Sequence, residues 1–156
     1  MTEEANDIAL EYNVEKGHFD IEFTDDGFDL KGAVNLRNAV GIMIFSERRT
    51  NSDDDVPNQA GYPGDALDDI DESNLGSKLW QRLRGKSLAK HLPEVEEDVK
   101  EALQELIDQG IAKTISVVAS YAGTAKHKLN FQVEIVRQSG ENLKFNYVWE
   151  QPLFAN

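Results

Sequence analysis

Residues 92–121 read LPEVEEDVKEALQELIDQGIAKTISVVASY, and within that stretch the apolar spacing changes from helical to strand-like. Val95, Val99, Ala102, Leu103, Leu106 and Ile107 recur at i, i+4, i+7, i+8, i+11 and i+12, which is one face of a helix. Pro93 suits the first turn and Gly110 suits the stop. Burying the larger apolar side chains of that face, at ~1.5–3 kcal/mol each, contributes on the order of 10 kcal/mol before chain entropy is charged. Glu94, Glu96, Glu97 and Asp98 fall in the first turns, where the helix dipole favours acids, so solvation and dipole matching account for that run. Beyond Gly110 the period drops to two, with Ile115, Val117 and Ala119 alternating with Thr114, Ser116 and Val118.

The same alternation continues toward the C-terminus. After a turn at Tyr121-Ala122-Gly123-Thr124, Leu129, Phe131, Val133 and Ile135 oppose Lys128, Asn130, Gln132 and Glu134. Ser139-Gly140-Glu141-Asn142 then turns into Leu143, Phe145, Tyr147 and Trp149. These segments predict a three-stranded antiparallel meander packed by its apolar face on the helix at 93–110. Toward the N-terminus, Leu79, Trp80 and Leu83 predict a short helix over about 78–84 that ends at Gly85, with Trp80 as a core anchor. Leu36, Val40, Met43 and Ile44, widened by Ile42 and Phe45, predict a further helix with Asn35 as its N-cap. A helix with so little polar surface is central to the domain or covered by a partner. Residues 7–31 read as two or three short strands, including Ile8-Ala9-Leu10 and Phe19–Phe23, separated by turns at Lys16-Gly17 and Asp25-Asp26-Gly27. The predicted fold is therefore α+β: N-terminal short strands, about three helices and the C-terminal meander on the third, in a single domain over residues 1–156.

Between the first two helices, residues 50–75 form an acidic stretch with Asp53, Asp54, Asp55, Asp65, Asp68, Asp69, Asp71 and Glu72, broken by Pro57, Gly61, Pro63 and Gly64. It has too few apolar residues to offset the ordering of its own backbone, and loops of this length usually serve contacts. Its flanks carry a recognisable series: an Asp-Ile-Ala-Leu opening at 7–10 and the apolar helix 39–45 ending in Ser46-Glu47-Arg48-Arg49. Asp54 and Pro57 follow, then Gly61-Tyr62-Pro63-Gly64-Asp65, Gly76-Ser77-Lys78-Leu79-Trp80, and an Ala-Leu-x-x-Leu-Ile-Asp-x-Gly helix end at 102–110. In this order, over roughly residues 7–150, the chain resembles the phage Mu-type baseplate protein family, small structural proteins of contractile tails related to baseplate wedge and sheath-initiator proteins. Where wedge relatives carry a Gly-Glu-Arg-like turn, this chain has Ser46-Glu47-Arg48.

The resemblance implies a structural subunit of the tail baseplate in a virion, assembled in the host cytoplasm. Its partners would be other wedge, hub or sheath proteins, and related members template the first sheath ring through strand exchange. It also marks Glu47, Arg48, Arg49, Tyr62 and Asp65 as partner-binding residues. Arg48 and Arg49 suit that role because a guanidinium pairs with carboxylates in two-point geometry. Their place at the end of the first helix, where cations complement the dipole, is an equally weighted structural explanation. An antiparallel edge in the meander could accept a strand through backbone hydrogen bonds, with the tail 150–156 as a cover.

Composition narrows the alternatives. The net charge of −13 lies almost wholly in the first half: residues 1–75 carry 5 Lys and Arg against 19 Asp and Glu, whereas residues 76–156 carry 11 against 10. Lys78, Arg82, Arg84, Lys86 and Lys90 form a basic cluster that reads as neutralising the acidic stretch, and the surrounding negative field disfavours nucleic acid. With no cysteine and with His18, His91 and His127 scattered, neither metal nor cofactor is expected. The acidic stretch lacks the alternate acids and central Gly of a calcium loop, and no Gly-rich phosphate loop is present. No apolar run approaches the ~20 residues of a membrane span, and the N-terminus lacks the basic leader of a signal peptide. The chain is accordingly read as a non-enzyme. Two rivals are a phage muramidase using an unidentified carboxylate pair and an acidic regulatory protein that mimics DNA.

Overall fold

The computed structural model describes residues 7–13, 18–24, 27, 30, 32–33, 36–48, 75–83, 92–121 and 128–150. The expected turns at 16–17, 25–26 and 122–124, the caps at Asn35 and Gly85, the acidic stretch and the tail from 151 lie outside these residues. The architecture is α+β, as the periodicities predict. Its elements are β1 (Asp7–Ile8), β2 (Leu10–Asn13), β3 (His18–Ile21), β4 (Gly32–Ala33), α1 (Arg37–Phe45), α2 (Leu79–Leu83), α3 (Leu92–Asp108), β5 (Ala112–Tyr121), β6 (Lys128–Arg137) and β7 (Asn142–Glu150). They group into two compact units, one within residues 1–41 and one within 42–151.

In the first unit the expected strand at 8–10 is interrupted at Ala9. β1 pairs antiparallel with β4, β2 pairs antiparallel with β3, and Ala9 between them is fully buried. The break has a physical cause in Asn38, whose side chain is itself buried. Its amide nitrogen donates to the Ile8 carbonyl at 2.6 Å and its Oδ1 accepts the Leu10 N–H at 3.1 Å, giving the backbone either side of Ala9 side-chain partners. Arg37 adds an ion pair to Glu22 at 2.9 Å. The half-buried sheet expected here is more open than its alternation suggests: Ile8, Ile21, Phe23 and Leu30 remain 42%, 47%, 59% and 42% exposed.

The second unit holds the larger core. β5, β6 and β7 form an antiparallel sheet in that order, so β6 is central and β5 and β7 are the edges. Leu129, Phe131, Val133 and Ile135 of β6 are fully buried on one face. Phe45 at the end of α1 meets Phe131 and Tyr147 at ring-centroid distances of 5.9 and 5.4 Å, and the last two stack at 5.4 Å. α3 packs against β5, and its Val95, Val99, Leu103 and Leu106 are buried. Ile107, expected on the same face, is only half-buried, while Asp98 is buried. At the helix end Gly110 takes φ +71°, so its N–H reaches the Ile107 carbonyl and the Ile111 N–H reaches that of Leu106, both at 2.9 Å. This double closure is the left-handed stop that glycine favours.

Candidate functional site

The residues flanking the acidic stretch lie against each other. Ser46, Glu47 and Arg48 leave α1 and run beside Gly76 and Ser77, which lead into α2. A parallel bridge joins Glu47 to Ser77, with the Ser77 N–H donating to the Ser46 carbonyl at 3.0 Å and the Arg48 N–H to the Ser77 carbonyl at 3.1 Å. Gly76 sits at φ +105°, and a Cβ there would lie 2.5 Å from the Ser46 carbonyl oxygen. Neither the conformation nor the space admits another residue without backbone movement. Ser77 is buried; its hydroxyl donates to the Ile44 carbonyl at 2.5 Å and accepts the Leu79 N–H at 3.2 Å, tying the end of α1 to the start of α2. Trp80, buried as expected, donates its indole N–H to the Arg48 carbonyl at 3.2 Å.

α3 supplies the charged side of this junction. Glu94, Asp98 and Glu101 share a helix face by their spacing of four and three. Arg48 Nη1 reaches Glu101 Oε1 at 2.8 Å. Arg82 Nε donates to Asp98 Oδ2 at 3.1 Å, and its Nη1 lies 3.8 Å from Glu94 Oε2. One arginine from each flank of the acidic stretch therefore lands on the same helix. Burial pushes the Asp98 carboxyl above its ordinary range; the Arg82 hydrogen bond and charge oppose the rise, Glu101 adds to it and Lys78 reduces it. Of the basic cluster, Arg82 is paired with α3, while Arg84, Lys86 and Lys90 lie outside the described residues, as does the acidic stretch they were expected to neutralise. The acidic run at 94–98 is more than a solvated first turn, since Asp98 holds Arg82 and Glu96 serves the sheet.

Of the five expected partner-binding residues, the structure brings Glu47 and Arg48 together in the junction. Arg49, Tyr62 and Asp65 lie outside the described residues. In the sequence Ser77 stands out only as part of a motif and Glu96 and Asp98 only as dipole-matched acids, and Glu101 is not singled out. The one available signal was the 94/98/101 spacing of acids on a helix that follows a basic segment.

The sheet edges differ in which backbone groups they present. The Ala119 N–H donates to Glu96 Oε1 of α3 at 2.9 Å, so it points away from β6. Backbone direction alternates along a strand, so the N–H groups of Ile115, Val117 and Tyr121 point the same way, and that of Ser116 points into the ladder with β6. Carried across the register Ala119↔Phe131↔Tyr147, the rule turns the N–H groups of Lys144, Asn146 and Val148 outward on β7. On β7 the outward donors thus belong to residues whose side chains are exposed. Among the described residues no three His, Cys, Asp or Glu side chains gather as a metal-ligand group, and no helix is long and apolar enough to cross a membrane.

The family model described as phage protein GP46 matches residues 36–142, a span that begins at α1, crosses the whole junction and α3, and ends where β7 begins. The Mu-like prophage FluMu protein gp46 of Haemophilus influenzae is 32% identical over 115 residues, covering 74% of this chain and 79% of that protein.

Proposed function

The chain belongs to the phage protein GP46 family, and from that premise we propose that it is a structural component of a contractile phage or prophage tail baseplate, of the wedge or sheath-initiator type, that acts in tail assembly and not in catalysis. The observation that carries the reading is the junction itself. The Ser-Glu-Arg and Gly-Ser-Lys-Leu-Trp segments that mark the resemblance fold onto each other, joined by backbone bonds at 3.0 and 3.1 Å, inside the span matched by the family model. Such a junction fixes where the intervening acidic segment departs and returns, which suits presentation to a neighbouring subunit.

On this proposal the subunit works within the virion tail, alongside other wedge, hub or sheath proteins, with Glu47, Arg48, Arg49, Tyr62 and Asp65 on its contact side. Strand addition at a sheet edge is the proposed mode of engagement, because main-chain bonding tolerates varied side chains. β7 is the edge suited to it, its outward donors lying at Lys144, Asn146 and Val148.

The test is incorporation. Tails purified from an induced lysogen should contain the chain, and its deletion should stop tails before sheath assembly. Lys144→Pro or Asn146→Pro should keep a cooperative fold yet abolish copurification with tail partners, because each removes an edge donor without breaking the ladder to β6. Ser116→Pro, by contrast, removes a ladder donor and should destabilise the sheet. Normal tails from the deletion strain would refute the assembly role. Folded β7 proline variants that still assemble would refute strand addition and leave the acidic segment as the interface.

A further inference from the structure

The two edges of the β5–β6–β7 sheet are not equivalent, and the difference is made by one side chain. Ala119 lies near the end of β5, and its N–H faces away from β6, where a strand from another molecule would bind it. That donor is instead taken by Glu96 Oε1, 2.9 Å away, from the second turn of α3. Glu96 is partly buried there, and α3 packs against β5, so the carboxylate is delivered by a rigid element. The bond is charge-assisted when Glu96 is ionised, which makes it stronger than the neutral amide–carbonyl bond that an incoming strand would offer. An incoming strand would also bring its own carbonyl against this carboxylate, two acceptors competing for one hydrogen.

We propose that Glu96 is an edge guard: by occupying the Ala119 N–H it opposes pairing of the Ala119 end of β5 with β5 of a second copy of this chain. Exposed sheet edges template association, and natural proteins blunt them with charge or by covering them. Here one carboxylate from the preceding helix does both. Glu97, its neighbour, is exposed. This inference is independent of the assembly reading, since it concerns the isolated chain and holds whatever the β7 edge engages.

The experiment compares Glu96→Ala with Glu96→Gln, which keeps an acceptor oxygen on a side chain of the same length. Loss of a charge-assisted bond predicts that in Glu96→Ala the Ala119 amide exchanges with deuterium about tenfold faster under dilute conditions. The same variant should self-associate about tenfold more tightly, measured by sedimentation over a concentration series. Glu96→Gln, whose neutral acceptor is no stronger than the carbonyl of an incoming strand, should fall between the wild type and Glu96→Ala in both, and adding Ala119→Pro to Glu96→Ala should return it to wild-type association by deleting the freed donor. An unchanged Ala119 exchange rate would overturn the contact. Faster exchange without tighter association, or association that Ala119→Pro leaves intact, would overturn the guard. Should Glu96→Ala not fold, Glu96→Asp, whose carboxylate stops one methylene short, is read by the same criteria.

Discussion

The two compact units are held by different physics. Within residues 42–151, long strands align an apolar row on β6, and Phe131 is sealed by Phe45 and Tyr147. Within residues 1–41, paired strands of two to four residues leave large apolar side chains exposed, and the central tie is polar, the Asn38 amide bridging Ile8 and Leu10. Two-stranded sheets are marginal on their own, so such a unit depends on specific hydrogen bonds, whereas the three-stranded sheet depends on buried area. Volume-changing substitutions should therefore dominate in one unit and loss of hydrogen-bonding groups in the other.

The sharpest test of that contrast is Phe131→Ala. It empties a fully buried site between two aromatic neighbours and should cost about 4 kcal/mol in chemical unfolding. A cost near that of an exposed substitution would mean that the sheet is not the stability centre. Next comes Gly76→Ala, with an expected cost of about 3 kcal/mol although only a methyl is added, because φ +105° and the Ser46 carbonyl both oppose a Cβ. If Gly76→Ala were silent in thermal unfolding, the junction would not be the rigid base described above. On the other side of the comparison, Asn38→Ala should cost about 2 kcal/mol by leaving the Ile8 carbonyl and Leu10 N–H without their amide. Amide exchange should show the loss first at Leu10 and not in β6.

How much of this was legible in the sequence follows from the range of each interaction. α3 and the meander were readable because their burial is periodic: the positions that repeat every 3.6 or 2 residues are those that face the core, and the Pro93 and Gly110 signals are local. Asn38 was not readable, since its partners are 28 and 30 residues away and an asparagine within a helix carries no periodic mark. Asp98 and Glu96 were hidden by a correct but incomplete explanation, the favourable interaction of acids with a helix N-terminus. At the junction, the types Ser46, Glu47, Gly76 and Ser77 stood out by resemblance, yet the reason for Gly76 appears only when the Ser46 backbone lies against it. The division into two units was likewise absent from the composition, which changes in charge near residue 75 and not near 41.

Asp98 sharpens the comparison in another direction, because it is a polar group inside the apolar unit. Burial raises its folded-state value above the ordinary 3.8, so the folded chain holds the proton more tightly than the unfolded chain. Its contribution to stability is therefore fully present below the unfolded value and is lost as pH rises through the folded value. In urea unfolding from pH 3.5 upward, the wild type should lose stability relative to Asp98→Asn across the window that opens near 3.8 and closes at the raised value. A difference that instead grows with pH would mean that the Arg82 pair outweighs burial. Above that window the ionised carboxylate is retained against a desolvation cost, in keeping with a role in orienting α2 through Arg82.

The smallest expected effect is on stability, and it belongs to Arg48. Its guanidinium pairs with Glu101 at 2.8 Å, but Glu101 is 47% exposed, and ion pairs open to solvent contribute about 0–1 kcal/mol. The backbone of the same residue is far more constrained, donating to Ser77 and accepting from Trp80, and neither bond is lost on substitution by alanine. Arg48→Ala should therefore shift the unfolding midpoint little, and added salt should shrink the shift further. Glu101→Gln should have an equally small effect, and the double variant should show coupling of similar size in a mutant cycle. If Arg48 also contacts a partner, Arg48→Ala will reduce incorporation into tails well beyond its effect on folding, whereas Glu101→Gln, which frees the guanidinium, will not. A large stability loss in Arg48→Ala with normal incorporation would show that the arginine fastens α1 to α3 and has no part in the proposed contact.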